Sequence, residues 1–455
     1  MRDFNGRPID AELVEEVKAL IEQKNADALE RLIDQLRPAD LADLIEHLGA
    51  DERLFLFQLL EPEGAGEVFV EIEHPIQERI LKDLDTKAIS DIVEELDSDD
   101  AADLVGDLPE DRAKAVIQSL GDEVSIELEK LLPYPDDTAG GLMALEFVAV
   151  KADETVQDAI DSIRETGKEV ENLYYIWVTD DHARLLGVIS VKDLVIESPD
   201  KKISDVMHRG VISVNVGADQ EEVVQLVKRY DLVNIPVVDD HNRLVGRITY
   251  DDIIDVMEDE ADEDMSLMAG VIAQEITEES SLKISRARLP WLVGALFGGV
   301  FAAFVINQFE ASLEKMIALS FFFPVIMAMG GNTGTQAATV VVRGLATGDI
   351  SLVNIGKRLW MELRVALING LVCGSLLGVV VGLWLGDYRL GIIVTLALTL
   401  IILISGLIGA AVPLAFKRLD VDPALAAGPF VTTSNDILSL FIYLGLVTIF
   451  LRMSG

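Results

Sequence analysis

Two regimes of hydrophobic and polar positions divide the chain. From Ser281 onward, charge-free runs recur at Leu289–Phe309, Met316–Val342, Val365–Gly386 and Leu390–Phe416. Each reaches the roughly 20 residues that a helix needs to cross about 30 Å of hydrocarbon. A fifth run, Pro423–Leu451, is long enough but carries one acid, Asp436, about halfway along it. The pattern predicts five transmembrane helices. Before Ser281 the apolar positions instead form short stripes between acids. Over residues 37–130 a spacing of 12 recurs in SDIVEELDSDDA, ADLVGDLPEDRA and KAVIQSLGDEVS, which start at Ser90, Ala102 and Lys114. Each unit offers a stripe too small to be buried alone, so stacking into a helical superhelix is the natural solution, with an ordinary helical bundle as the alternative.

Composition sharpens that division. The 455 residues include 78 acids and 37 bases, a net charge of −41, yet mean hydropathy is +0.33. Residues 281–455 hold 8 acids and 12 bases, which leaves 70 acids and 25 bases, a net of −45, in residues 1–280. Such a surface repels phosphates and excludes a nucleic-acid partner. The single cysteine, Cys373, excludes an internal disulfide and a Cys-rich zinc site. Met1–Val17 has no apolar core between a basic start and a cleavage site, so no signal peptide is expected. Lys283, Arg286, Arg288, Arg343, Lys357, Arg358, Lys417 and Arg418 flank the runs on one side, against Lys315, Arg389 and Arg452 on the other. Positive residues favour the cytoplasm, which predicts cytoplasmic N-terminal domains and an extracytoplasmic C-terminus in the plasma (inner) membrane.

A second repeat is gapless. LYYIWVTDDHARLLGVISVKDLV from Leu173 aligns with LVNIPVVDDHNRLVGRITYDDII from Leu232, 59 residues later. In both, a strand leads through an Asp-Asp-His turn to a second strand and a helix that opens near Asp193 or Asp252. The pair resembles tandem CBS domains, with repeats over about 143–199 and 203–258. That resemblance implies an adenosine-ligand segment at Gly187–Asp193 and Gly246–Asp252, the Asp accepting ribose hydroxyls and the Ser190 or Thr249 hydroxyl meeting phosphate or ribose. Thr249 with Asp252 is the preferred half, because the preceding strand holds Pro236. The same hydroxyl also reads as a plain helix cap.

Chemistry in the membrane part centres on oxygen. An ionised side chain at the bilayer centre costs about 2.5–3.5 kcal/mol on insertion scales, so Asp436 is a functional candidate. Its surroundings, Gly428, Pro429, Thr432, Thr433, Ser434 and Asn435, are polar or break helices. The second run carries another polar, glycine-rich stretch, Gly330-Gly331-Asn332-Thr333-Gly334-Thr335-Gln336, for which close helix packing is the alternative reading. No His occurs there, and an oxygen-only lining suits a hard cation such as magnesium or calcium. Glu362, one turn from Arg358, reads as an interfacial ion pair.

Taken whole, the chain resembles the MgtE family of magnesium channels. The motifs that carry the resemblance are PYPDDTAGGLM (Pro133–Met143), GGNTGTQ (Gly330–Gln336), VDPA (Val421–Ala424) and AAGPFVTTSND (Ala426–Asp436). The implied fold is multidomain, α plus α/β: an acidic superhelical N-domain (1–132), a tandem CBS pair (133–258), a connecting helix (259–283) and five transmembrane helices (284–455). The implied molecule is not an enzyme. It is a homodimer in a lipid bilayer that takes up Mg2+ through a pore lined by Asp436, Gly428, Thr432 and Asn332. The family further implies regulatory magnesium at Asp219, Glu221, Asp231, Asp252, Asp255, Glu260, Glu263, Asp264 and Asp422, with Asp99 and Asp103 as the N-domain contribution and ATP as a candidate modulator. The residues supply their own support, since Asp251–Asp264 packs nine acids into 14 positions directly upstream of the first span. A solvated acidic face is the ordinary reading of such a run. Two alternatives of function remain beside the channel: a divalent-cation carrier using the same oxygens, and a membrane-anchored CBS sensor without conduction.

Overall fold

The computed structural model describes residues 9, 11–168, 170, 172–271, 280–350, 355–419 and 421–454. The chain folds into two compact units, Met1–Met257 and Glu258–Gly455.

The first unit opens with ten short helices: α1 (Ala11–Glu22), α2 (Ala26–Ile33), α3 (Pro38–Glu46), α4 (Ala50–Phe57), α5 (Pro62–Val70), α6 (His74–Asp83), α7 (Thr86–Val93), α8 (Ser98–Gly106), α9 (Glu110–Ile117) and α10 (Asp122–Leu131). Helix α3 packs on α5, α5 on α7 and α7 on α9, so alternate helices stack into one superhelical row. The 12-residue sequence period is the spacing from one helix of this row to its neighbour in the chain. Each helix buries only a few apolar side chains, such as Ile89, Ile92 and Val93 of α7, and gains its core from the helices stacked on either side.

Two sheets follow, built from β1 (Ala149–Lys151), α11 (Val156–Thr166), β2 (Tyr175–Thr179), β3 (Leu185–Ser190), α12 (Val191–Ile196), α13 (Ile203–Val206), β4 (His208–Arg209), β5 (Val214–Asn215), α14 (Gln220–Tyr230), β6 (Asn234–Val238), β7 (Leu244–Thr249) and α15 (Tyr250–Ala269). The gapless repeat becomes an identical register. Tyr175 pairs with Ser190 as Asn234 pairs with Thr249, and both hairpins carry a bulge at the equivalent place, Val178/Thr179 and Val237/Val238. Each hairpin turn holds one residue in the left-handed region, Ala183 and Asn242. The two turns bond to each other, Leu185 N–H to Asn242 O at 3.0 Å and Leu244 N–H to Ala183 O at 2.9 Å, which gives the pair an internal two-fold relation.

The motif Pro133–Met143 docks the superhelix onto the second repeat. Ala139 and Gly140 N–H donate to Ala218 and Val216 carbonyls at 2.8 and 2.9 Å. A Cβ on Gly141 would sit 2.5 Å from Pro135 O and 2.7 Å from Asp136 Cα, so only glycine permits this turn.

The second unit contains α16 (Ser281–Asn307), α17 (Glu310–Lys315), a 3-10 turn (Ile317–Phe322), α18 (Phe323–Ala346), α19 (Ile355–Leu385), α20 (Tyr388–Arg418), α21 (Ala424–Ala427) and α22 (Pro429–Ser454). Among the described residues, five helices are long and apolar enough to cross a membrane. Helix α20 is central, packing on α18, α19 and α22. Its closest approaches are made at small residues: a Cβ on Gly409 would run into the Gly334 backbone, and one on Gly374 would lie 2.7 Å from Thr395 O. Of the connecting helix, residues 272–279 lie outside the described residues. Helix α15 is continuous through the acidic run and ends at Gly270, whose φ is +72°.

Candidate ion pathway and regulatory acids

Backbone breaks place the membrane site. Gly428 separates α21 from α22, so the fifth span starts at Pro429. Asp436 therefore stands in the first third of its helix, about 10 Å along the axis from Pro429 at 1.5 Å per residue. The halfway position expected from the charge-free run fails because α21 and the break take up the run's first residues. The stretch Gly330–Gln336 also departs from expectation: α18 passes through it without a break. Its glycines serve approach instead, and Gly330, Gly331 and Gly334 are all buried.

That approach assembles the polar column. A Cβ on Gly331 would lie 3.0 Å from Asp436 Oδ1 and 3.3 Å from Thr432 Cγ2, so the missing side chain makes room for the carboxylate. One turn from Asp436, the Thr432 hydroxyl lies 3.1 Å from the Thr335 hydroxyl of α18 and 3.5 Å from Gly428 O. Asn332 is also on α18 but is exposed on the single chain, outside this column. The described parts of α16 to α22 contain no Lys or Arg between Gly428 and Ser439 or between Phe323 and Val342. The column thus offers carboxylate, hydroxyl and carbonyl oxygens with no fixed cation, which suits a hydrated hard cation.

Next to the column lies the end of α15. Leu267 and Met268 pack with Ala338, Val342, Ala424 and Val431. A Cβ on Gly428 would come within 2.8 Å of Met268 O and 3.2 Å of Leu267 O. The helix carbonyl end, which carries a partial negative charge, is thereby set against the break where α22 begins. The sequence marks Gly428 as a helix breaker; the close approach of α15 is an added reason that position is glycine.

Buried neighbouring Asn435 is a residue the sequence reading left as background. Its side chain is inaccessible and neither amide atom has a hydrogen-bond partner, and Ser439 Oγ one turn on is likewise unpaired. Both meet glycines, Asn435 at Gly334 and Ser439 at Gly330, so they press into α18 beside Asp436. The amide placed next to the acid in AAGPFVTTSND was the available signal.

In the first unit the acids of α8 meet the start of α15. Asp99 is 8% exposed, and burial first, then Asp252 and Asp100, hold its carboxyl well above the ordinary carboxylate range. Asp100 is pushed up to about 8 by burial, with Asp252, Asp103 and Asp97 adding repulsion. Asp103 keeps its side chain at the surface, where water screens it most; the surrounding protein raises it to about 7, helped by Asp136, Asp107 and Asp252. Asp252 is raised by burial despite accepting bonds from Thr249, whose N–H donates at 3.0 Å and whose hydroxyl donates at 2.5 Å. The structure therefore joins three predicted acids, Asp99, Asp103 and Asp252. It adds Asp100 and Asp136, which the sequence contained within the same short motifs. Arg247 opposes the rise at Asp252 without cancelling it.

The remaining predicted acids are spread out. Asp219 N-caps α14, its Oδ1 accepting from Glu221 N–H at 2.9 Å, whereas Asp231 is the left-handed C-cap (φ 51°) at the other end of that helix. About 18 Å of helix separates the two caps. Asp255, Glu260, Glu263 and Asp264 follow one another along α15. Asp422 Oδ1 accepts from Ala424 N–H at 2.7 Å and so caps α21. Among the described residues no three His, Cys, Asp or Glu side chains converge in a way that would hold a metal ion. The acids crowd, within one chain, without closing a coordination shell. Glu362 does pair with Arg358, at 3.0 Å.

A membrane bundle with an oxygen column and an intramembrane acid, following a CBS pair, defines a cation-transport protein with attached regulatory domains. Residues 323–446 match the MgtE family of divalent cation transporters, residues 36–137 the MgtE intracellular N domain, and residues 139–200 and 203–259 the CBS domain. The chain is 34% identical over 442 residues to the magnesium transporter MgtE of Bacillus subtilis, covering 97% of this chain and 98% of that one. It is 35% identical over 452 residues to the magnesium transporter MgtE of Thermus thermophilus, covering 98% and 100%. Among solved structures, the cytosolic domain of the Mg2+ channel MgtE in complex with ATP is 34% identical, covering 53% of this chain and 99% of that chain, with a TM-score of 0.51. The chain belongs to the MgtE family, whose members are transporters and not enzymes.

Proposed function

We propose that this protein carries Mg2+ into the cytoplasm through a pathway that passes Asp436, and that cytoplasmic Mg2+ closes it. The observation that carries the reading is the Asp436 carboxylate seated over Gly331, with the Thr432 and Thr335 hydroxyls 3.1 Å apart one turn below. Magnesium sheds water reluctantly, so carboxylate and hydroxyl oxygens would hold its hydration shell and guide it past the Gly428 carbonyl. A homodimer would bring two such columns, with Asn332, to one axis, and two carboxylates would then select a divalent ion over a monovalent one. The family relatives named as magnesium transporters support Mg2+ as the cargo. A membrane anchor has no use for an acid, two paired hydroxyls and an orphan amide in its helices, which disfavours the sensor reading.

Closure would come from the acids. Mg2+ at Asp99, Asp103 and Asp252, and at Asp219, Glu221, Asp231, Asp255, Glu260, Glu263, Asp264 and Asp422 between protomers and domains, would remove the repulsion that opposes a compact state. Helix α15 carries Glu260, Glu263 and Asp264 and, one turn further on, Leu267 and Met268 against Gly428, so Mg2+ bound at those acids would act on the pathway through the same helix. ATP would bind at Thr249 and Asp252, in keeping with the ATP complex of a relative's cytosolic domain. The excess of basic residues on one flank supports cytoplasmic N-terminal domains and an extracytoplasmic C-terminus.

Uptake by Asp436→Asn tests the pathway. The substitution keeps size and hydrogen bonding but removes charge, so magnesium-dependent growth and Mg2+ flux into liposomes should collapse while the protein stays folded. Wild-type flux in that variant would reject the assignment.

A further inference from the structure

A cavity of about 540 Å3 lies between the end of α18 and the start of α19, and the proposed ion pathway does not use it. Arg343, Lys357 and Arg358 line it, with Thr347, Asp349 and Met361. Arg358 gives Nη2 to Glu362, but its Nε is buried without a hydrogen-bond partner. Neither Arg343 nor Lys357 has an ion-pair partner among the described residues, and both are exposed. Asp349 accepts from the Thr347 hydroxyl at 2.8 Å and Glu362 pairs with Arg358, so three cations face two carboxylates and the recess keeps a net positive charge.

The cavity's border is apolar. Val340, Met361 and Val365 are 49%, 56% and 41% exposed on the membrane helices that form it. Trp360, 56% exposed, lies 5.3 Å from the Arg364 guanidinium, an amphipathic pair of the kind found at headgroup depth. A basic recess opening onto apolar helix faces at that depth fits a group that is a phosphate at one end and hydrocarbon at the other. We propose that this cavity binds phosphate, presented as the headgroup of an anionic phospholipid, with Arg343 and Lys357 as its principal contacts and the Arg358 Nε–H as an inner donor. The site would tie the end of α18, the helix that also carries Gly331, to one leaflet.

The test uses the full-length protein in micelles. Native mass spectrometry against phosphatidylglycerol and phosphatidylcholine should show the anionic lipid retained about tenfold better, and an R343Q/K357Q variant should lose that preference. The charge-conserving R343K/K357R pair should keep it. Equal retention of the two lipids by wild type, or an unchanged preference in R343Q/K357Q, would overturn the proposal. Thermal unfolding with sodium phosphate against sodium chloride at matched ionic strength separates the sources. Stabilisation by inorganic phosphate that R343Q/K357Q abolishes, without any lipid preference, would overturn the lipid and leave a soluble anion as the occupant.

Discussion

Gly331 and Gly334 allow the proposed membrane site and the folding of the bundle to be tested separately. At Gly331 an added methyl would sit 3.0 Å from Asp436 Oδ1, a contact that a small rotation of the carboxylate relieves. Gly331→Ala should therefore cut Mg2+ flux severalfold with little loss of thermal stability. At Gly334 the methyl would meet the buried Asn435 amide, which has no free direction, so Gly334→Ala should cost about 1–3 kcal/mol and reduce the amount of folded protein. Uptake normalised to protein amount, with melting temperature, checks both; full flux in Gly331→Ala would contradict a carboxylate working at that spot. At the proposed nucleotide segment, the Thr249 hydroxyl is donated to Asp252, so a bound ATP would have to replace that bond. Thr249→Ala should weaken ATP binding about tenfold by calorimetry, and unchanged heat would assign Thr249 to capping alone. Asp436 was legible at this scale because one acid in hydrocarbon stands out. Asn435 was not, because an amide beside an acid becomes informative only once its burial is known.

Helices and strands were legible where the chain repeats itself. The 59-residue repeat carries identical strand register, bulges and turns because the fully buried positions Ile176/Ile235, Val178/Val237 and Ile189/Ile248 hold the same residue in both copies. The 12-residue spacing foretold the stacked row of helices for a related reason: one short stripe needs a neighbour of its own kind. Breaks were harder to read. Glycine frees the backbone both to bend and to approach, and sequence does not say which; Gly330–Gln336 stayed helical while Gly428 broke. Helix α15 stands between these cases. Asp255, Asp259 and Glu263 repeat at i,i+4, an arrangement that destabilises a helix by a few tenths of a kcal/mol per pair. The helix forms nonetheless and brings Leu267 and Met268 against Ala338, Val342, Ala424, Val431 and Gly428. Neutralising Asp255, Glu260 and Glu263 together should stiffen α15 without Mg2+ and remove its response to Mg2+. Flux should then persist at internal magnesium that closes wild type, which liposomes loaded with graded magnesium will measure. Normal closure in the triple variant would return the run to a solvated face.

Over the whole molecule, the net of −45 in residues 1–280 would make proton and Mg2+ rivals for the same carboxylates if the proposed regulation holds. Two unit charges 4 Å apart repel by about 4 kcal/mol at an effective dielectric of 20, comparable with the gap between two conformations. Asp99, Asp100, Asp103 and Asp252 all have folded-state pKa values above the unfolded value, with Asp100 at about 8 and Asp103 at about 7. For a raised acid, the stabilisation is complete below the unfolded pKa, near 4, and is lost as pH climbs through the folded one. Without divalent ions, the approach of the α8 acids to Asp252 should therefore loosen steadily between about pH 4 and pH 8. Bound Mg2+ needs the deprotonated form, so its protection should grow over the same interval and be small at pH 5. Sodium chloride at equal ionic strength should substitute poorly, because screening acts on exposed charges and Asp99 is buried. Limited proteolysis of the full-length protein, run at pH 5, 6.5 and 8 with EDTA or Mg2+, measures this directly. Cleavage should rise with pH in EDTA, and Mg2+ should suppress it most at pH 8. Cleavage that ignores pH, or that Mg2+ suppresses equally at every pH, would mean that the carboxylates of α8 and α15 do not form the latch.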